Sequence, residues 1–388
     1  MTFSKVLCLQ VYLGLTILTT AIRLNYTGDI PYLTVSFDPS GNETFEVPLY
    51  LEGESFFLGE ECADAGTCTE TNHSIVYNPG KYHGVKGDEI TLKSGGTSLF
   101  GNKYQGSLIT DFTNDRVATF NVINNSTAPI DLEAAGRLSL DFSNYTMDGY
   151  FVENVFKNLQ TKQIIFRRGP VEQYLKTGYI NGTKGAMEIG VNEMYGCNMT
   201  EAKYKVKHSR GWKIVGGIQI GDELHDYPVK FSLNEKVLLP RHLYNYIYQS
   251  PYKNLTLREL ASYTLYFDNE TAFAPNYTNF LNYKTIYRDV LDLQVEPHDE
   301  FVVLLGRPFL ADFCLILRKR GDELSDYEIG LAPSYPLDDD PQWEDDVAPI
   351  RPKEDDDEDE SDEDEDDGAN SNGLSFFIVL LAFFGSKA

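Results

Sequence analysis

Short apolar or alternating runs recur from residue 28 to residue 332, and they constrain the fold more than any other feature of the sequence. Residues 32–37, 118–123 and 214–220 are examples, and Gly, Asn, Asp and Pro separate one run from the next. Runs of this kind between turn-forming residues are typical of β-strands. Helical patterns are few, and the best covers residues 240–248, which begin with a proline. The pattern therefore predicts an all-β body with few short helices.

The amino-terminal segment differs from this body. Residues 1–21 contain one early lysine, Lys5, then an apolar stretch from residue 6 to residue 18, and then small or polar residues up to Ala21. This order is that of a secretory signal peptide, and the apolar stretch is too short to span a bilayer. We expect cleavage after Ala21 and entry into the secretory pathway.

Most of the net charge lies in one segment near the carboxyl terminus. The chain has a formal charge of −26, and residues 338–367 hold 19 acidic and 2 basic residues. Like charges at this density repel each other and cannot bury surface, so residues 335–368 are predicted to form a disordered, solvated stalk. The rest of the chain has no basic patch, which argues against nucleic acid as a partner.

An apolar run follows the acidic segment. Residues 374–384 are mostly apolar and too few to cross a bilayer, and small residues precede them. This pattern is typical of a glycolipid (GPI) attachment signal, which we assign to residues 369–388, with Gly368 or Asn370 as the attachment site. It predicts an extracellular protein held to the plasma membrane or the cell wall. Because the polar spacer is short, a tail anchor or a merely adhesive end stays open as an alternative.

Acceptor triplets for N-linked glycosylation, Asn-X-Ser/Thr, occur throughout the body. One triplet means little, but eleven of them after a signal peptide indicate a glycosylated surface. The predicted acceptors are Asn25, Asn42, Asn72, Asn124, Asn125, Asn144, Asn181, Asn198, Asn254, Asn269 and Asn276.

Four cysteines remain once the signal peptide is removed. Cys62 and Cys68 enclose a short loop that a disulfide could close. Cys314 lies in an apolar run, so a buried thiol and a disulfide to Cys197 are both open. The sequence has no Cys-X-X-Cys pair and no His-Glu-X-X-His stretch, so we expect neither a metal nor any other cofactor.

Four segments of the body occur in the same order, and at similar spacing, as the motifs of a known protein family. They are residues 32–47, 135–140, 212–221 and 302–313, the last continued by residues 329–332. In order and spacing they resemble the opening hairpin, the Asp-Gly-Ile-Leu-Gly-Leu segment, the strand pair before the second catalytic loop and the closing segment of the pepsin-like aspartic peptidase family. The resemblance implies a bilobal, all-β body, with an amino-terminal lobe at residues 22–190 and a carboxyl-terminal lobe at residues 191–334. The glycolipid-anchored layout is similar to that of the yapsins within this family.

The resemblance also implies where catalytic residues would lie. Members of this family use two aspartates, each in an Asp-Thr/Ser-Gly loop, that share one proton and act as acid and base. The first position falls on Tyr50, or on Leu51 if one residue is inserted, and the second falls on Ser232. Neither Asp-Thr-Gly nor Asp-Ser-Gly occurs in the sequence.

The flap, the hairpin that covers the active site in this family, also departs from the family's pattern. Residues 92–106 correspond to this flap, and they have Ser98 or Leu99 where the family has a tyrosine. A phenol and an aliphatic hydroxyl at the two aspartate positions cannot divide one proton between them at acidic or neutral pH. We therefore predict a catalytically inactive member of the family, a pseudoprotease.

Two other interpretations stay open. The chain is an active aspartic endopeptidase with an atypical dyad if Glu52, Glu54 or Glu235 replaces the missing aspartates. It is a surface structural or cell-wall glycoprotein if the cleft between the lobes is vestigial.

A retained cleft would bind an extended peptide or a protein through main-chain hydrogen bonds and side-chain pockets. Its partners would then be that ligand, of unknown identity, and the membrane that carries the glycolipid. Apolar and aromatic residues near the two loops are the candidates for the cleft walls: Phe56, Phe57, Leu99, Phe100, Leu233 and Val237.

Overall fold

The computed structural model describes residues 22–335, apart from 28–29, 74–75, 95, 133, 142–150, 158, 169–183, 209–210, 234–235, 250–255, 282–292, 322 and 324–325. The predicted signal peptide, nearly all of the acidic stalk and the glycolipid signal with Gly368 and Asn370 therefore lie outside the described residues. The same holds for Glu235 and for the acceptors Asn144, Asn181 and Asn254.

Strands dominate the described part of the chain. Twenty strands follow one another there: β1 (Ile22–Thr27), β2 (Tyr32–Ser36), β3 (Phe45–Tyr50), β4 (Phe56–Leu58), β5 (Val85–Ser94), β6 (Thr97–Thr110), β7 (Asn114–Ser126), β8 (Gly136–Ser139), β9 (Gln163–Arg168), β10 (Lys184–Ile189), β11 (Lys203–Val206), β12 (Lys213–Ile220), β13 (Glu223–Phe231), β14 (Val237–Pro240), β15 (Tyr263–Tyr266), β16 (Ala272–Phe273), β17 (Val295–His298), β18 (Val303–Leu305), β19 (Phe313–Lys319) and β20 (Tyr327–Pro333). The three apolar runs chosen from the sequence as examples fall on β2, β7 and β12.

Helices are few and short, as the sequence predicts. Those described are α1 (Phe151–Lys157), α2 (Arg241–Tyr248), α3 (Leu257–Leu260) and α4 (Arg307–Leu310). The helix predicted at residues 240–248 is confirmed as α2, with Pro240 at the capping position before its first turn. Leu243 and Ile247, four residues apart, form its buried face.

Two seven-stranded sheets form the two lobes. The first has the order β2-β3-β8-β4-β7-β6-β5, and a further pairing of β2 with β6 makes it curl towards closure. The second has the order β16-β15-β12-β13-β18-β14-β17. In both sheets a strand from late in the lobe, β8 or β18, is inserted between two strands that are consecutive in the chain.

A six-stranded antiparallel sheet joins the two halves. Its order is β1-β10-β9-β19-β20-β11, so three strands come from each half of the chain. The halves meet where β9 pairs with β19, with Phe166 opposite Leu315. All six residues of β9 are buried, which follows from its place inside the sheet and against the core.

The core of the first lobe is rich in aromatic rings. Phe37 packs against Phe57, Tyr77 and Phe120, with ring centroids 4.8, 4.7 and 5.2 Å away. Phe37 and Phe57 are buried, and their edge-to-face arrangement adds to the free energy of burial. Phe57 lies on β4 and Phe120 on β7, so this cluster holds these two strands against the residues that follow β2.

Trp212 ties the second lobe to the first. Its indole Nε1 donates a hydrogen bond of 2.6 Å to the carbonyl oxygen of Leu140, which directly follows β8. Its ring packs edge-on against Phe156 of α1 and Tyr327 of β20. At 3 % exposure, Trp212 couples the end of β8 to the second sheet and to the six-stranded sheet.

Candidate functional site

The first lobe contains a strand–loop–strand unit with a third strand inserted into it. β3 ends at Tyr50, residues 51–55 form the loop, and β4 begins at Phe56. β8 lies between the two strands, parallel to β3 with Tyr50 opposite Ser139, and antiparallel to β4 with Phe56 opposite Arg137. The backbone N–H of Leu140 donates to the Tyr50 carbonyl oxygen at 2.9 Å, which fixes the end of β3.

The second lobe repeats this unit. β18 lies parallel to β13, with Phe231 opposite Leu305, and antiparallel to β14. The backbone N–H of Ser232 donates to the Leu305 carbonyl oxygen at 3.1 Å, so the parallel ladder continues one residue beyond β13. Tyr50 is the last residue of β3 and lies opposite Ser139 at the end of β8, whereas Ser232 is the residue after β13, one position beyond the pairing of Phe231 with Leu305 at the end of β18. Both predicted positions therefore lie at or next to the end of the first strand of their unit.

This architecture can be compared with known proteins. Among solved structures, the chain resembles the crystal structure of an aspartic proteinase from Irpex lacteus, with a TM-score of 0.58 and 13% sequence identity. The match covers 81% of this chain and 98% of that one. The chain has the pepsin-like fold. This confirms the predicted all-β, bilobal class, while an identity this low shows the fold alone. No protein-family model matches the sequence, and no curated protein matches it.

The first loop is polar and is held by an arginine. The guanidinium carbon of Arg137 lies 5.6 Å from the ring centroid of Tyr50 and 5.0 Å from that of Phe56, within the range of a cation–π contact. Its Nε donates to the Glu54 carbonyl oxygen at 3.0 Å. Burial lowers the pKa of the Arg137 guanidinium, and the nearby Tyr50, Glu52 and Glu54 oppose this shift.

Backbone geometry also shapes this loop. Gly53 has φ +85°, a value that residues with a side chain rarely adopt, and a Cβ there would lie 2.8 Å from Arg137 Nη2. The Gly53 N–H donates to an Asp141 side-chain oxygen at 3.2 Å. Ser55 Oγ accepts from the Ser139 N–H at 2.8 Å, so the loop is tied directly to the inserted strand.

An ion pair links the first loop to the second lobe. Glu52 Oε2 lies 3.8 Å from Nζ of Lys230, a residue of β13 two positions before Ser232. Lys230 also lies 3.7 Å from a carboxylate oxygen of Glu300, in the turn before β18. Lys230 is therefore shared between one carboxylate of each lobe, beside the two strand ends.

The loop of the second lobe begins with two buried residues. Ser232 and Leu233 are 3% and 1% exposed, and Leu233 belongs to the main apolar core. The residues that follow, 234–235, lie outside the described part of the chain. The second unit thus keeps its strand arrangement but buries the residues that follow its first strand.

The carboxyl groups with shifted pKa values lie away from these loops. In the described part of the chain they are Asp38, Glu43, Glu259, Asp268 and Asp299, and the pKa of each is lowered. Hydrogen bonds are the largest cause in every case, for example from the Ser40 hydroxyl to Asp38 and from Lys81 to Glu43.

An exposed aromatic cluster lies next to Glu300. Phe301 is 68% exposed, and its ring centroid lies 5.1 Å from that of Tyr227 and 5.4 Å from that of His242. Tyr227 Oη and His242 Nε2 are hydrogen-bonded at 2.6 Å. We call Tyr227, His242 and Phe301 the Phe301 cluster; it presents an aromatic surface beside the Glu52–Lys230–Glu300 group.

The predicted cleft walls need correction. Phe56, Phe57, Leu99 and Val237 are fully buried and Leu233 nearly so, while Phe100 alone of the six is exposed, at 39%. β4 lies inside the first sheet between β8 and β7, so both of its edges are paired. All three of its residues are buried, and Phe57 and Phe56 belong to two different apolar clusters, so both faces of the strand are covered. Phe57→Asp or Leu99→Asp would place a charge in an apolar core and unfold the lobe, so neither can test binding.

Residues around the loops that the sequence prediction missed are charged. Arg137 and Lys230 each interrupt an apolar strand next to a loop, and Lys230 lies between Val229 and Phe231, which are buried. A single charged residue inside such a run marks a face that is not covered by core. That signal was present in the sequence for both residues.

The predicted flap is confirmed as a β-hairpin with different bounds. β5 and β6 form it, and Ser94 of β5 pairs with Thr97 of β6 at its end. Leu99 is buried, so its side chain does not stand free over the loops, and the Ser98 N–H donates to Thr127 Oγ1 at 3.0 Å.

The two disulfides are formed. Cys62 pairs with Cys68, as predicted from their spacing, and Cys197 pairs with Cys314 across 117 residues. The second pairing decides between the two alternatives left open for Cys314. Among the described residues no group of His, Cys, Asp and Glu is arranged to hold a metal ion, and no helix there is long and apolar enough to cross a membrane.

Most of the described glycosylation acceptors reach the surface. Asn42, Asn72, Asn125, Asn269 and Asn276 are exposed, and Asn124 and Asn198 are half-buried. Asn25 lies in β1. These positions leave room for sugars at the exposed acceptors.

Proposed function

We propose that this chain is a secreted or cell-surface glycoprotein whose pepsin-like body binds a peptide or protein ligand between its two loops without cleaving it. The observation that carries the proposal is the repeated strand–loop–strand unit: Tyr50 ends β3 and Ser232 directly follows β13, and these are the positions where the resemblance would put the two aspartates. In the fold this chain resembles, catalysis depends on two carboxyl groups that share a proton. A phenol and a buried hydroxyl do not supply that pair.

The surroundings of Tyr50 support the same proposal. Its ring lies against the Arg137 guanidinium, and Glu52 of the same loop contacts Lys230 at 3.8 Å. A carboxylate that pairs with an ammonium group across the lobes is engaged in an ion pair and not placed against a second carboxyl group. Glu52 is thus a poor replacement for a missing aspartate.

The Phe301 cluster supports binding. An aromatic side chain exposed at 68% beside a charged group offers the kind of anchor that dominates peptide and protein interfaces. Lys230, Glu300 and Glu52 add charges of both signs on the side towards the first loop. An extended peptide with an apolar residue next to charged residues would fit this surface.

The secretory route has independent support. Two disulfides in a chain of this size are typical of an oxidising compartment, and they agree with the signal peptide and the acceptor triplets of the sequence.

We propose display through the glycolipid signal at residues 369–388, with the acidic stalk between the body and the membrane. Phospholipase treatment should then release the protein from cells, and truncation after Gly373 should send it into the medium. Retention of the truncated form on cells would contradict the anchor.

The binding proposal is tested by panning a displayed peptide library against the purified full chain. We expect one family of extended peptides, with affinity reduced about tenfold or more by Phe301→Ala. Tyr195→Ala is the matched control, since Tyr195 is also an exposed aromatic residue, at 48%, but lies in the segment after β10. Failure to enrich any peptide, or equal loss in both variants, would favour a structural glycoprotein with a vestigial cleft.

A further inference from the structure

A concave surface on the first lobe lies outside the region between the loops. Its volume is about 570 Å³, and strands β5, β6 and β7 form it. Thr91, Phe100 and Asn125 stand directly opposite one another on these three strands, so their side chains share one face. Glu89 and Asn102 form the next row on β5 and β6.

The chemistry of this concavity suits a sugar. Phe100 is 39% exposed and offers an aromatic face, on which the C–H groups of a pyranose ring can pack. Thr91 and Glu89 are exposed and add a hydroxyl and a carboxylate that can hydrogen-bond sugar hydroxyls, while Asn102 lines the concavity but is itself buried. Gly101 lies between Phe100 and Asn102, and it must be glycine because a Cβ there would lie 1.9 Å from the Val122 carbonyl oxygen.

Two neighbouring acceptors, Asn124 and Asn125, line this concavity. The ladder between β6 and β7 shifts there, since Phe100 lies opposite Asn125 and Gly101 opposite Ile123, which leaves Asn124 as the extra residue of a β-bulge. Asn124 is half-buried, and its Oδ1 occupies space beside Gly59, where a Cβ would lie 2.3 Å from it. Asn125 is exposed, and its Oδ1 accepts from the Ser126 N–H at 2.8 Å, which orients the amide.

We propose that Asn125, and not Asn124, carries an N-linked glycan, and that the first N-acetylglucosamine of this glycan packs on Phe100 in the concavity. The linkage forms when the Asn125 amide nitrogen bonds to C1 of a lipid-linked oligosaccharide, the lipid diphosphate leaves from C1, and the amide loses one proton. The inference rests on the secretory route of the proposed function. The sugar then covers an exposed aromatic residue of the first lobe.

The site of modification is tested on the full chain secreted from a eukaryotic host. Mass spectrometry of glycopeptides should find the glycan on Asn125, and Asn125→Gln should remove it while Asn124→Gln leaves it in place. A glycan on Asn124 would overturn this inference but leave the secretory proposal intact. Absence of glycans from every acceptor would overturn both.

The packing is tested by thermal unfolding after an endoglycosidase has trimmed each glycan to one sugar. Phe100→Ala should lower the Tm by about 2 °C when Asn125 carries its sugar, and should have no such effect in the Asn125→Gln background. Phe100→Trp is the conservative variant and should keep the Tm of the glycosylated protein. An equal Tm loss in both backgrounds, or no loss in either, would show that the sugar does not lie on Phe100.

Discussion

The two strand–loop–strand units share a backbone arrangement and differ in their side chains. In the first lobe the loop is polar, contains a glycine with φ +85°, and is held by Arg137 and Asp141. In the second lobe Ser232 and Leu233, which follow the first strand, are buried. β8 and β18 nevertheless take the same place between the strands of each unit.

This difference shows that the residues that stabilise the fold are not the residues that catalysis would require. The inserted strand is held by a parallel ladder on one side and an antiparallel ladder on the other, and both consist of backbone hydrogen bonds. Apolar residues on the covered faces supply the rest of the free energy of folding. Neither requirement fixes the residue at the end of the first strand or just after it, so Tyr50 and Ser232 can stand at these positions without loss of the fold.

Removing the disulfides should give the largest difference in stability between the two lobes. Cys62 and Cys68 are six residues apart in the first lobe, whereas Cys197 and Cys314 are 117 apart. By the entropy of loop closure, replacing the long-range pair with alanines should cost about 5 kcal/mol and replacing the short-range pair about 2 kcal/mol. Urea unfolding of the two double variants measures both values, and equal losses would contradict this ranking.

The contact that joins the lobes should have the next largest effect. Trp212→Ala removes the buried indole and its hydrogen bond to Leu140, so it should reduce the free energy of unfolding by about 4 kcal/mol. Trp212→Phe keeps most of the ring packing and should lose about half as much. If the two lobes depend on this contact, Trp212→Ala should also split one unfolding transition into two. A single transition with an unchanged midpoint would show that Trp212 does not couple them.

The sequence predicted the class of fold better than it predicted the site. Strand runs such as residues 214–220 carry their own signal, because alternation and turn residues are local properties. The cleft candidates failed for the opposite reason. Whether Phe57 lies on an open wall or inside a sheet depends on β8 and β7, which come from elsewhere in the chain. The ion pair between Glu52 and Lys230 likewise joins residues far apart in the sequence, and no local pattern reports it.

Buried tyrosines give a third comparison between the lobes. In the first lobe the Tyr77 hydroxyl is buried and has no partner among the described residues, and burial raises its pKa to about 12. In the second, the Tyr263 hydroxyl is hydrogen-bonded to that of Tyr248. At neutral pH, Tyr263→Phe should therefore cost about 1 kcal/mol, while Tyr77→Phe should cost nothing or stabilise the protein.

The pH dependence of stability above pH 10 tests the burial of the Tyr77 hydroxyl. Tyr77 titrates near pH 10 in the unfolded chain and near pH 12 in the folded one, so its contribution to stability is complete below pH 10 and is lost as the pH rises through that window. Tyr77→Phe should make the decline in stability above pH 10 less steep. An unchanged alkaline limb in urea titrations at several pH values would show that Tyr77 is not protected from solvent.

The ion pair between the loops should have the smallest effect on stability. Lys230 and Glu52 are partly exposed and lie 3.8 Å apart, so a double-mutant cycle with Lys230→Met and Glu52→Gln should give a coupling of about 0.5 kcal/mol. About 1 M salt should remove it. The Lys81–Glu43 pair, inside the first lobe, is the control and should respond to salt in the same way. A coupling several times larger would mean that the pair sets the distance between the lobes.

Cleavage is the most direct test of the proposal that this pepsin-like fold lacks a catalytic pair. The purified full chain is incubated with denatured protein substrates from about pH 3 to about pH 7, and the products are read by mass spectrometry with and without pepstatin. We predict that the substrates stay intact and that pepstatin has no effect. Pepstatin-sensitive cleavage that persists in protein from a second, unrelated host, and that is lost in Glu52→Gln, would contradict the account and establish an atypical dyad.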